Sequence, residues 1–198
     1  MKKLLLIVSV LVVLLVVIGA CSTNKKEKTS PKMKDGKILI VEYGDFKCPY
    51  CKKVEEKVIP TIKKDYIDTN KVEYQFVNAG FLDKDSIVGS RAGNAVQKIA
   101  PKAYLTFQHN IFKNQQDEDK KWLTEQFLDK EIDKLDITNN QKSEIKEQYK
   151  SKNSYAWKKA EEQKKLTEDN HIKSVPTVFI NGKKVKDPYT VGGWKKYL

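Results

Sequence analysis

The rhythm of hydrophobic positions changes several times along the chain. Leu4 to Ile18 is an apolar run broken only by Ser9, behind the basic pair Lys2 and Lys3. Ser22 to Lys37, STNKKEKTSPKMKDGK, has no large apolar residue except Met33. Ile38 to Tyr43, ILIVEY, is a dense β-forming run and predicts a buried central strand, ended by Gly44 and Asp45. Val54, Val58, Ile62 and Tyr66 then recur at every fourth position, the stripe of an amphipathic helix. Pro60 predicts a kink in that helix. Lys71 to Asn78, KVEYQFVN, predicts a second strand.

A long stretch of helical spacing follows. SRAGNAVQKIA is succeeded by PKAYLTFQHNIFKN, where Pro101 suits a first helical turn. KWLTEQFLDKEIDKL carries Leu123, Phe127, Leu128, Ile132 and Leu135 at helical intervals, and NNQKSEIKEQYK and SYAWKKAEEQKKL complete the series. PTVFI predicts a third strand. Asn181-Gly182 is a strong signal for a two-residue hairpin, with KKVK as the returning strand. GGWKKYL leaves room for a short last helix, and the chain has no internal repeat.

With 198 residues, the length fits one domain or one domain with an insertion, and 39% hydrophobic content is enough for a packed core. The net charge of +12 changes the picture less than its size suggests. Lysines alternate with acids, as in KKVEEK and DEDKKWLTEQ, which is the pattern of solvated helix surfaces rather than of a phosphate-binding stripe. Nucleic acid is therefore not expected as a partner. The N-terminus points the same way. A basic flank, a short apolar run and the small residues of IGAC, Ile18 to Cys21, resemble a bacterial lipoprotein signal spanning residues 1–20. Cys21 would then be acylated, for example by palmitate, and become the new N-terminus. The alternative is an uncleaved anchor, since Leu4 to Ala20 is about 17 residues, near the lower limit for crossing a bilayer. Both readings put the remaining chain on the extracytoplasmic face of the membrane. Residues 21–37 then form the lipidated cysteine and a lysine-rich tether of roughly 20–25 Å, which an anionic membrane surface would attract.

Three cysteines, Cys21, Cys48 and Cys51, sharpen the reading. If Cys21 carries lipid, the domain keeps only the Cys-X-X-Cys pair of YGDFKCPYC. As a structural staple the pair is poor, because so short a loop removes little unfolded-state entropy. As a zinc site it lacks ligands: there is no second cysteine pair, and His109 and His171 lie in unrelated segments. A redox couple is the remaining reading, with no metal and no cofactor. Cys48 stands where a strand gives way to a helix, so unpaired amides favour its thiolate. It is expected to face solvent and meet the substrate. Cys51, one turn further in, is expected to be more buried and to resolve the mixed disulfide. Pro49 fixes the first turn, and Tyr50 is the other residue between the cysteines.

The residues YGDFKCPYC, VEYQFVN, KDSIVGSRAGNAV and SVPTVFINGKKV together resemble a DsbA-like thiol-disulfide oxidoreductase, close to the lipid-anchored kind of Gram-positive bacteria. The resemblance covers about residues 38–190. It implies an α/β, thioredoxin-like fold formed by residues 38–83 and 166–198, with a helical insertion at 84–165. It also implies that Glu42, on the central strand, is desolvated beneath the buried cysteine and relays its proton. The alternative is an edge-facing glutamate in water. Pro176 is implied to be cis and to pack against the cysteines, the alternative being a trans proline that merely starts a strand. Val175, Pro49 and Tyr50 are then expected to contact substrate, and the final helix is short for the family. The implied activity is the introduction of disulfides into unfolded or reduced exported proteins, with reoxidation by a membrane or small-molecule oxidant. A disulfide reductase or isomerase, and a non-catalytic surface-binding lipoprotein, are the rival readings.

Overall fold

In the computed structural model, which describes residues 36–198, the apolar runs assemble a four-stranded sheet in the order β2-β1-β3-β4. The expected signal, tether and lipidated Cys21 fall on residues 1–37 and so lie, apart from Gly36 and Lys37, outside the described residues. The run ILIVEY becomes β1 (Ile38–Gly44) and VEYQFVN becomes β2 (Val72–Asn78), paired in parallel from Ile38 opposite Val72 to Gly44 opposite Asn78. β3 (Thr177–Ile180) lies antiparallel to β1 on its other side, so β1 is central as expected. Ile40 packs toward one face, while Leu39, Val41 and Tyr43 pack toward the other. Asn181 and Gly182 have φ of 48° and 78°, the left-handed pair that a tight hairpin requires. The return strand β4 (Lys183–Lys184) is only two residues long, and Val185 adds a further hydrogen bond to Val178 at 2.8 Å.

α1 (Pro49–Lys57) begins on the Cys-X-X-Cys segment, and α2 (Ile59–Ile62) follows and closes in a π turn over Lys63–Ile67. The expected kink is a break. α1 ends at Val58, which stays in the right-handed region but at φ −115°, and Pro60 has no N–H to continue the ladder. Val54, Val58 and Ile62 remain fully buried against Ile40, Val178, Ile180 and Trp194.

The chain between β2 and β3 is helical: α3 (Ser86–Ile99), a 3-10 turn at Pro101–Ala103, α4 (Tyr104–Lys113), α5 (Glu125–Asp133), α6 (Asn139–Lys150) and α7 (Tyr155–Asp169). Thr124, Thr138 and Ser154 cap the last three with their hydroxyl oxygens. The cap explains why α5 starts later than the apolar spacing predicts. Thr124 sets the boundary, and Trp122 and Leu123 turn their amides to Asp85 Oδ2 at 3.1 and 3.0 Å instead. These helices enclose a core that includes Phe46, Phe76, Phe107, Phe112, Cys48 and Cys51. The short last helix, α8 (Val191–Lys195), buries Trp194, whose indole N–H donates to Pro188 O at 2.9 Å. Among the described residues no helix is long and apolar enough to cross a membrane.

Candidate active site

The site begins with a turn. Asp45 follows β1, and Cys48 N–H donates to its carbonyl at 2.9 Å. Cys48 is the last extended residue before α1, with φ −75° and ψ 117°, and Pro49 takes the first helical position, where a missing N–H costs nothing. One turn on, Cys51 is fully buried, and both cysteines are free thiols. Cys48 is covered more than expected: its relative exposure is 4%, and Val175 O stands 3.5 Å from its sulfur. The Val175–Pro176 peptide bond is cis. Pro49 and Tyr50 are exposed.

The two thiols differ electrostatically. Hydrogen bonding from Cys51, helped by the amides of Cys51 and Tyr50 at the start of α1, lowers the Cys48 pKa, while burial and the charge of Asp45 oppose it. Burial pushes the Cys51 thiol well up, and Cys48 and Glu42 add to this. Glu42 is buried at 2% exposure, not edge-facing in water, and burial raises its carboxyl to about 8 against the opposing hydrogen bond of Tyr74.

That hydrogen bond starts a polar line through an apolar interior. Tyr74 OH donates to Glu42 Oε2 at 2.9 Å, and Gln108 Nε2 donates to Tyr74 OH at 3.1 Å and to Glu55 Oε2 at 2.9 Å. His109, on the surface of α4, lies 3.3 Å from Glu55 Oε1. Burial raises the Glu55 carboxyl, opposed by Gln108 and His109. The sequence pattern did not reveal this line, although one signal was present: Glu55 stands four residues after Cys51, on the same inward face of α1. His171 follows the end of α7 at φ 55° and takes no part.

A second group of polar residues fixes the turn that presents Cys48. Lys47 is fully buried, its ammonium held by Asp83 at 2.7 Å, Asp85 at 2.9 Å and Lys120 O at 3.0 Å. Asp45 Oδ1 accepts from Lys47 N–H at 3.0 Å and from Ser86 Oγ at 2.9 Å. Gln115 Nε2, beyond α4, donates to the carbonyls of Phe46 at 2.8 Å and Cys48 at 3.1 Å. Apart from the local Asp45–Lys47 turn, nothing in the sequence flags these contacts, because the partners lie far along the chain.

A strand running into a Cys-X-X-Cys helix, flanked by a parallel strand and by an antiparallel strand entered through Pro176, is a thioredoxin-like scaffold carrying a dithiol couple. The thioredoxin family model matches residues 33–198. The "Probable disulfide bond formation protein D" of Bacillus cereus is 33% identical over 152 residues, 75% of this chain and 67% of that protein. "Disulfide bond formation protein D" of Bacillus subtilis is 31% identical over 153 residues, 77% of this chain and 67% of its own length. Among solved structures, oxidised BdbD from Bacillus subtilis superposes with a TM-score of 0.71 at 28% identity, covering 86% of this chain and 90% of that one. Reduced DsbA1 from Neisseria meningitidis shares the fold, with a TM-score of 0.64 at 20% identity over 85% and 87% of the two chains. The chain belongs to the thioredoxin family, as a DsbA-like thiol-disulfide oxidoreductase.

Proposed function

We propose that the protein is an extracytoplasmic, lipid-anchored dithiol oxidase that introduces disulfides into exported proteins through the Cys48–Cys51 couple. The observation that carries the reading is the opposed ionisation of the two thiols: Cys48 is favoured as thiolate and Cys51 as thiol, one helical turn apart. A thiolate that is stable in the reduced form makes the disulfide an oxidising one.

The exchange balances in two displacements. A substrate thiolate attacks Cys48 Sγ of the oxidised protein, a substrate–Cys48 bond forms, the Cys48–Cys51 bond breaks, and Cys51 leaves as a thiolate. Glu42, with its carboxyl protonated near neutral pH, is the proton source for that leaving sulfur. A second substrate thiolate then attacks the substrate sulfur of the mixed disulfide and releases Cys48. The substrate has lost two electrons and the protein has gained them, so a membrane or small-molecule oxidant must return the couple to the disulfide. Val175, Pro49 and Tyr50 are assigned to substrate contact, and Pro176, beside the cysteine pair, is assigned to the catalytic group with Cys48, Cys51 and Glu42. Residues 38–83 and 166–198 are assigned to the thioredoxin-like domain and 84–165 to the insertion. Cys21 is assigned to lipid attachment.

The test is the activity of the oxidised protein on a reduced dithiol peptide, alongside insulin reduction and the reduction potential. Oxidation of the peptide, abolished in both Cys48→Ser and Cys51→Ser, is expected. Cys51→Ser given the peptide already in disulfide form should instead be trapped, its Cys48 thiolate displacing one peptide sulfur to form a mixed disulfide. Insulin reduction without peptide oxidation would make the protein a reductase, and inactivity in both assays would leave a binding lipoprotein. Palmitate labelling, lost in Cys21→Ala, checks the anchor separately.

A further inference from the structure

Two exposed tyrosines stand at the mouth of the dithiol. Tyr50, between the cysteines, is 52% exposed, and Tyr189, from the loop before α8, is 39% exposed. Their ring centroids are 6.3 Å apart at an interplanar angle of 55°. Two half-exposed rings side by side form a contiguous apolar patch rather than a scattered one, and this pair lies beside a sulfur that is itself almost closed off.

Tyr189 is held in place by its loop. Its N–H donates to Asp187 Oδ1 at 3.1 Å, and Thr190 Oγ1 donates to Asp187 Oδ2 at 2.7 Å. Pro188 O receives the indole N–H of the buried Trp194 at 2.9 Å. Gly193 lets α8 approach Asp187 so closely that a Cβ there would collide with the Asp187 carbonyl. The loop that carries the ring is therefore fixed, and the ring stands as a wall rather than a loose cover. Tyr50 is set by the helix start and has Lys53 Nζ at 4.6 Å from its ring centroid.

The geometry of disulfide exchange gives this wall a use. An attacking thiolate approaches along the axis of the bond it breaks, and Cys51 is buried behind Cys48. The attack must come from the outer side, through an opening bordered by Val175 O, Tyr50 and Tyr189. A substrate backbone lying near Val175 O to deliver its sulfur brings the residue next to its cysteine against the two rings.

We propose that Tyr189, with Tyr50, forms an aromatic rim that selects substrate cysteines flanked by an aromatic side chain, Tyr189 being the specificity-determining residue. This rests on the oxidase reading of Cys48 and Cys51. Burial raises the Tyr189 phenol, and charge on Cys48 and Cys51 raises it further, as fits a ring standing beside both sulfurs. The selecting interaction is stacking, so the hydroxyl is dispensable and the ring is not.

The test uses two reduced dithiol peptides that differ only in the residue beside the attacking cysteine, tryptophan or serine. The readout is the ratio of their kcat/KM values with oxidised protein, which cancels any general loss of activity. The wild-type ratio is expected to be about threefold to tenfold in favour of tryptophan. It should fall toward one in Tyr189→Ala and persist in Tyr189→Phe. A wild-type ratio of one, or an unchanged ratio in Tyr189→Ala, overturns the rim while leaving the oxidase reading intact. Oxidation of neither peptide by the wild type overturns the oxidase reading and the rim with it.

Discussion

The ammonium of Lys47 lies 2.9 Å from Asp85 Oδ1, and water reaches almost none of either side chain. The pair ties the residue before the reactive cysteine to the start of α3. Asp85 also receives the amides of Trp122 and Leu123, so one carboxylate joins three segments. Removing one partner of a buried ion pair strands the other charge, at about 3–5 kcal/mol. Lys47→Ala should lose about that much stability in urea titrations. Asp85→Ala leaves Lys47 its 2.7 Å pair with Asp83 but takes the acceptor from the Trp122 and Leu123 amides, so it should also destabilise. The two substitutions together should lose less than the sum.

Glu42 gives a pH dependence with a defined sign. Its folded pKa is raised from 4.5 to about 8, so the folded state holds a proton that the unfolded state has released. The stability tied to that proton is fully present below about pH 4.5 and is lost as pH rises toward 8. Glu42→Gln, which cannot ionise, should gain on the wild type across this window by a few kcal/mol at most, since a tenfold change in proton affinity is worth about 1.4 kcal/mol. Melting curves of both proteins between pH 4.5 and 8.5 would check it, and parallel curves would contradict it.

The redox couple predicts which form is firmer. Lowering the Cys48 pKa stabilises the thiolate, which exists only in the reduced protein. Reduced protein should therefore melt above oxidised protein at neutral pH. Because the folded pKa is depressed from 9.0, that stability is complete above about pH 9 and disappears as pH falls through the Cys48 value. Cys51, whose pKa is raised, stays protonated over the same range. Thermal melts of both forms from pH 8 downward should converge, and an oxidised form that melts higher at pH 7 would favour a reductase.

Gly44 is the tightest point beneath the dithiol. A Cβ there would drive into the Phe76 ring and come within 3.5 Å of Cys51 Sγ. Phe76 stacks on Phe46 at 5.3 Å, so it has little room to yield. Gly44→Ala should cost about 1–3 kcal/mol by overpacking and should also change the alkylation rate of Cys48. Denaturation and alkylation kinetics on the same variant would separate the two effects.

The sheet was legible because its signals are local. ILIVEY, the Asn-Gly turn and the cysteines before a helical stripe each announce themselves within a few residues. The surroundings of the cysteines were not. A charged residue such as Lys47 reads as solvated until its partners are known, and those stand 36, 38 and 73 positions away. Glu42 showed only a mild sign of burial between Val41 and Tyr43. Glu55 was hidden by the same lysine-rich helix surface that made KKVEEK read as solvent-facing. Apolar periodicity finds a core; it does not find the polar groups that a core encloses.

Cys48 and Cys51 share their core with Phe107 and Phe112 of α4 and with Ala92 and Val96 of α3, rather than with the residues under α2 and α8. The S–S bond is therefore made and broken inside the core that α3 and α4 help to enclose. Volume changes in those two helices reach the sulfurs through packing alone, so the reactivity of the couple is set in part by residues that carry no charge and make no hydrogen bond to it.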